Sequence, residues 1–128
     1  MRVKLFRSIC VLMLLSIPVS ASCDEAQMMT VEQLVDKCTT AECAAFCMGL
    51  ATGVLSQLQG NGAFFQAVRL SDETRKVLKF AGIACGVIEP KLALMAFVDW
   101  AKIHPESRRH NGIVGIATAV GQAWPCRE

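Results

Sequence analysis

Cys38, Cys43 and Cys47 are clustered, and Cys43 and Cys47 stand one helical turn apart. Thiols this close have two chemistries. As thiolates they can hold a soft metal ion, and once oxidised they can staple the chain. The spacing lacks the two-plus-two layout of a structural zinc site. His104 and His110, the chain's two histidines, could form a metal or acid–base pair at a helix end, but no third ligand stands near them at zinc-site spacing. Capping and hydrogen bonding are the simpler roles for both. Asp99 is a lone carboxylate without a second acid to form a general acid–base couple. No Gly-rich phosphate loop, nucleophile elbow or His-Glu-x-x-His is present. The residues therefore point to no cofactor, no metal and no catalytic group, and to a protein that is not an enzyme.

What the cysteines do depends on where the chain folds. Arg2, Lys4 and Arg7 precede an apolar run from Ser8 to Val19, and Val19-Ser20-Ala21 supplies the small residues of a signal-peptidase site. The run is about a dozen residues, short of the roughly 20 that span a bilayer. Residues 1–21 are thus expected to be a cleaved signal peptide, and 22–128 a single domain. Ser20-Ala21-Ser22-Cys23 also permits a second reading, a lipoprotein site with lipid on Cys23. Cleavage removes three basic and no acidic residues, so the formal charge of +2 becomes −1. No basic stretch remains that would bind nucleic acid, since Arg108-Arg109 is only a pair. Cys10 leaves with the signal. Cys23, Cys38, Cys43, Cys47, Cys85 and Cys126 remain, an even set in a small exported chain, which reads as a disulfide framework of open connectivity.

The elements that position these cysteines are helical. Tyrosine is absent, no clean alternation of apolar and polar residues occurs, and alanine, leucine and methionine recur. Thr30 and Gln33 have capping-box spacing before Val31, Leu34 and Val35, so a first helix starts at Thr30 and ends at Cys38-Thr39-Thr40. Thr40 can cap a second helix, from about Ala41 to Gln59, which Gly60-Asn61-Gly62 should stop. Gly49 and Gly53 on one face of it suggest close approach of another helix. Ser71 or Asp72 can cap a short helix through Val77, Leu78 and Phe80 that ends at Gly82. Pro90 opens a third long helix to about Ile103, apolar almost all round except for a strip of Lys91, Asp99 and Lys102. Such a helix is central to the bundle or belongs to a subunit interface. The last helix restarts at Pro105, buries Ile113, Ile116, Ala117 and Val120, packs tightly through Gly112, Gly115 and Ala119, and closes at Trp124-Pro125-Cys126. The expected fold is all-α, a disulfide-stapled bundle of about four to five helices.

The C-terminal half carries a recognisable pattern. Cys85-Gly86-Val87-Ile88-Glu89-Pro90 leads into a helix that reaches Trp100-Ala101-Lys102-Ile103-His104-Pro105-Glu106. A small-residue helix then closes on Ala123-Trp124-Pro125-Cys126. With Cys47-Met48-Gly49-Leu50-Ala51-Thr52-Gly53-Val54 upstream, the chain from about Val31 to Cys126 resembles the Rap/Tai-type immunity proteins. These protect bacteria from peptidoglycan amidases delivered by type VI secretion. Leu50 stands near a place where that family usually has an aromatic residue, and Cys23 and Cys43 are extra to its usual cysteines.

The resemblance implies a periplasmic inhibitor, often a homodimer, that occupies the cleft of a cognate amidase effector. It implies no membrane attachment unless Cys23 is lipidated. Family members offer a loop or helix end to the cleft, and here the candidate is Gly60–Ser71, with Asn61, Phe64, Phe65, Gln66 and Arg69. Phe64 and Phe65 could instead simply cover the core. The resemblance also implies pairing of Cys38 with Cys47 and of Cys85 with Cys126. That leaves Cys23 for Cys43, or Cys43 as a free thiol if Cys23 carries lipid. A general periplasmic binding or chaperone module is the competing expectation, and a small hydrolase ranks below both.

Overall fold

The computed structural model describes residues 29–127. The expected signal peptide, its cleavage site and Cys23 lie outside the described residues. Those described form five α-helices and no β-strand beyond a single bridge, the all-α bundle expected from the sequence.

α1 (Val31–Cys38) starts as its capping box predicts: Thr30 Oγ1 accepts from the Gln33 N–H at 3.3 Å, and Gln33 Oε1 accepts from the Thr30 N–H at 3.0 Å. Its buried residues are Val31 and Leu34. A 3-10 turn, Ala41–Cys43, leads into α2 (Ala44–Ala67). Thr40 makes no side-chain cap there, because its hydroxyl donates backwards to the Lys37 carbonyl at 2.7 Å.

α2 runs past Gln59, contrary to the expected stop at Gly60-Asn61-Gly62. A helix-interior glycine costs only about 1 kcal/mol relative to alanine, and packing offsets that cost here. A Cβ at Gly62 would overlap the Ala84 carbonyl, so the missing side chain lets the segment before α4 lie against α2. There the Ala84 N–H donates to the Leu58 carbonyl at 3.1 Å. The tight packing expected at Gly49 and Gly53 is absent. A Cβ at either would meet nothing within 4 Å, so both face open space. By length and hydropathy Ala41–Ala67 could cross a bilayer. One side of α2, however, is a core stripe of Cys47, Ala51, Leu55, Leu58 and Phe65.

α3 (Asp72–Ala81) is capped by Ser71, whose hydroxyl accepts from the Thr74 N–H at 3.3 Å, and ends at Gly82, where φ is +94°. α4 (Pro90–Ile103) has the expected bounds, with proline in its first turn. It is the central helix, packed against α1, α2 and α5. It buries Ala93, Phe97 and Ala101 but leaves Leu92 and Met95 well exposed, so its solvent face is wider than the strip of Lys91, Asp99 and Lys102.

The last helix does not restart at Pro105, which opens only a short 3-10 turn, Pro105–Ser107. α5 (Gly112–Ala123) begins later, where Asn111 Oδ1 accepts from the N–H groups of Ile113 (3.0 Å) and Val114 (3.2 Å). Gly112, Gly115 and Ala119 do permit close packing. A Cβ at Gly115 would lie 2.6 Å from Val31 Cγ2 and 3.1 Å from Phe97 Cε2. Of the expected stripe, Ile116 and Val120 are fully buried, while Ile113 and Ala117 are half-buried. The start of α5 is further held by the bridge between Thr30 and Asn111: Val31 N–H donates to the His110 carbonyl (2.9 Å) and Gly112 N–H to that of Met29 (2.8 Å).

Two disulfides tie this bundle. Cys38–Cys47 joins the end of α1 to the first turn of α2, and Cys85–Cys126 joins the entry to α4 to the chain end. These are the two pairs that the resemblance implies. Cys43 is also disulfide-bonded rather than a free thiol. Oxidised cysteines place the folded chain in an oxidising, non-cytoplasmic compartment.

Candidate functional site

The segment Gly60–Ser71 is mostly helix, and helical phase divides the five residues expected to meet a partner. Asn61 and Phe65 are four apart and turn inward. Asn61 Nδ2 donates to the Gly82 carbonyl at 2.9 Å and so anchors the end of α3 to α2. Phe65 is 3% exposed. Over its ring sit the Arg75 guanidinium, 4.9 Å from the centroid, and the Lys79 ammonium at 5.8 Å. Both residues hold the fold together here. Phe64, Gln66 and Arg69 face solvent. Phe64 is thus on the surface and Phe65 covers the core.

The structure adds an element to this corner. α3 lies beside the end of α2 and none of its side chains is buried. Arg69, Leu70, Asp72, Arg75, Lys76 and Lys79 line a shallow concavity of about 570 Å³. Four cations against one carboxylate make it basic, although the whole chain carries a formal charge of only +2. The signal was available in the sequence. At 100° per residue, Arg75, Lys76, Lys79 and Asp72 fall on one side of residues 72–81, and Val77, Leu78, Phe80 and Ala81 on the other, with Glu73 between Phe80 and Val77.

Two further hollows are apolar. One, of about 510 Å³, lies between the end of α3 and α5 and is lined by Phe80, Ile83, Val114, Ala117 and Gly121 among others. The second, of similar volume, runs between α2 and α4 past Met48, Leu94, Met95 and Val98, with Lys91 and Lys102 at its edge.

The histidines do not come together as a pair. His104 caps the end of α4, stacks on Trp100 with ring centroids 4.9 Å apart, and hydrogen-bonds Glu106 through Nδ1 at 2.8 Å. That bond, chiefly, holds the Glu106 carboxyl below its ordinary range. His110 is exposed, and its backbone carbonyl serves the bridge to α1. Asp99 is ion-paired with Lys102 at 2.8 Å on the surface. No group of three or more His, Cys, Asp or Glu residues could hold a metal ion among the described residues.

Set against known proteins, the chain matches no protein-family model, no curated protein and no solved structure.

Proposed function

We propose that this chain is a periplasmic immunity protein that neutralises a type VI-delivered peptidoglycan amidase by occluding its active site. One observation carries the reading. The cysteines pair as Cys38–Cys47 and Cys85–Cys126, the two pairs implied by the Rap/Tai resemblance from among many possible pairings. Catalysis has no part in this mechanism. A rigid, cross-linked helical body presents a few exposed anchors to a cleft and blocks it, and a patch the size of the α2–α3 corner is enough to do so. A homodimer is the working form that the resemblance suggests.

The test is survival. Cells whose periplasm receives a type VI-delivered peptidoglycan amidase that this chain recognises should lyse without the chain and survive with it. The purified pair should form one tight complex in which hydrolysis of peptidoglycan stops. Equal lysis in both strains would remove the proposal.

A second reading, a general client-binding or chaperone-like module, is favoured by Phe80, Val87 and Ile103, which stand exposed at 95%, 99% and 74%. It requires many weak clients where the inhibitor requires one tight partner.

A further inference from the structure

α3 buries little of its apolar side for a helix that serves the core. Half-buried Arg75 and exposed Lys79 lie over the Phe65 ring of α2, while Lys76 faces solvent. Of its large apolar side chains Leu78 is half-buried, whereas Val77 is 61% and Phe80 95% exposed. An amphipathic helix free to choose would bury the apolar side. This one is held from both ends with Val77 and Phe80 outward. Ser71 caps its start, and Asn61 Nδ2 grips the Gly82 carbonyl at its finish. The helix is therefore presented outward on a fixed mount.

We propose that α3 is the docking element of this protein, and that its occupant is a folded protein whose cleft is apolar at the centre and acidic at the rim. The proposal rests on the inhibitor reading above and names the chemistry of the partner. Phe80 and Val77, three apart and so neighbours on the helix surface, are the anchors. Lys76 is four residues before Phe80 and flanks it, and Arg69 stands across the basic concavity. Glu73 lies one turn before Val77, but cations outnumber carboxylates over this corner, which selects a partner with carboxylates around an apolar pocket, steering its approach and fixing its register. Two large apolar side chains suit a pocket better than a bilayer, where stable attachment of an interfacial helix needs a longer apolar face.

The test uses the mature, disulfide-bonded chain and a purified type VI-delivered peptidoglycan amidase whose lysis the chain prevents. Phe80→Asp should weaken binding by at least about 30-fold, the loss of a central anchor. Its unfolding midpoint should stay at that of the unaltered chain, because the ring touches little. Lys76→Glu should slow association several-fold and flatten its dependence on salt. Val87→Asp, equally exposed but outside α3, should bind normally. Unchanged binding by Phe80→Asp, or an equal loss with Val87→Asp, overturns this inference and leaves the inhibitor reading standing. An unaltered chain that does not bind the amidase overturns both. Binding to vesicles containing phosphatidylglycerol that Phe80→Asp abolishes, with amidase binding intact, assigns the helix to a lipid surface and overturns the protein partner.

Discussion

Four glycines in α2 should respond to the same substitution with opposite signs. At Gly49, Gly53 and Gly60 an added methyl would have nothing within 4 Å, so alanine there adds only helix preference. Each change should stabilise the protein by about 0.5–1 kcal/mol. Gly62→Ala gains the same preference but drives its methyl into the Ala84 carbonyl oxygen, with the Ala84 carbon and Cys85 Sγ each 3.0 Å away. That segment cannot easily retreat. The Ala84 N–H is bonded to the Leu58 carbonyl, the Cys85 N–H to that of Trp124 at 3.0 Å, and Cys85 is joined to Cys126. Overpacking against held backbone costs about 1–3 kcal/mol or more. Net destabilisation by Gly62→Ala should therefore be about 1–2 kcal/mol. At roughly 4–8 °C per kcal/mol for a domain of this size, its Tm should fall clearly, while that of Gly60→Ala rises by a few degrees. Thermal unfolding followed by circular dichroism, with the disulfides intact, reads both. A Gly62→Ala protein as stable as the unaltered chain, or a Gly60→Ala protein that loses as much, would refute the argument that Gly62 is retained for close approach. Losses at Gly49 and Gly53 would show instead that another body covers that face in solution.

Asn111→Ala should cost about 1 kcal/mol, because it strips the acceptor from two N–H groups in the first turn of α5; denaturant unfolding measures it, and Asn111→Asp should restore most of the loss. The hydrogen bond from His104 holds the Glu106 carboxyl below its ordinary range. Its contribution to stability is therefore complete above the ordinary carboxylate pKa and disappears as pH falls through the lowered folded value. Glu106→Gln should lower stability slightly near neutrality, where that contribution is complete, and converge on the unaltered chain at low pH, so that the acid side of the stability–pH curve flattens; a curve superimposable on that of the unaltered chain would show that the contact is too solvated to matter.

Where residues act through local backbone chemistry, the sequence was legible. Thr30 with Gln33, Ser71 and Pro90 each act within one turn, and each marks a helix start where the structure has one. Glycine was read less well because its meaning depends on what lies opposite. Gly82, at φ +94°, does end a helix. Gly60-Asn61-Gly62 has the composition of a stop, but tertiary contacts keep it helical: Gly62 admits Ala84, and Asn61 reaches the Gly82 carbonyl. Pro105 misled for a related reason. It starts a 3-10 turn, while Asn111, whose carboxamide caps two amides, opens the helix itself.

The same dependence on phase governs the candidate site. Once Gly60–Gly62 is helical, Phe64 and Phe65 can no longer share a role, because neighbours in a helix point about 100° apart. Phe65 goes to the core and recruits Arg75 and Lys79 above it. That recruitment draws Arg75 toward α2 and leaves Val77 and Phe80 outward. The exposed apolar ridge is thus a consequence of where α2 ends. A stop at Gln59 would have freed Phe65 for the surface and α3 to bury its apolar side. Replacing Phe65 with leucine, which keeps the core filled but removes the ring, should therefore loosen the hold on Arg75 and Lys79, and protection of the α3 amides from hydrogen exchange should fall while that of α4 and α5 is retained. Unchanged α3 protection would mean that its end caps alone set the orientation, and the link from helix length to exposed ridge would be broken.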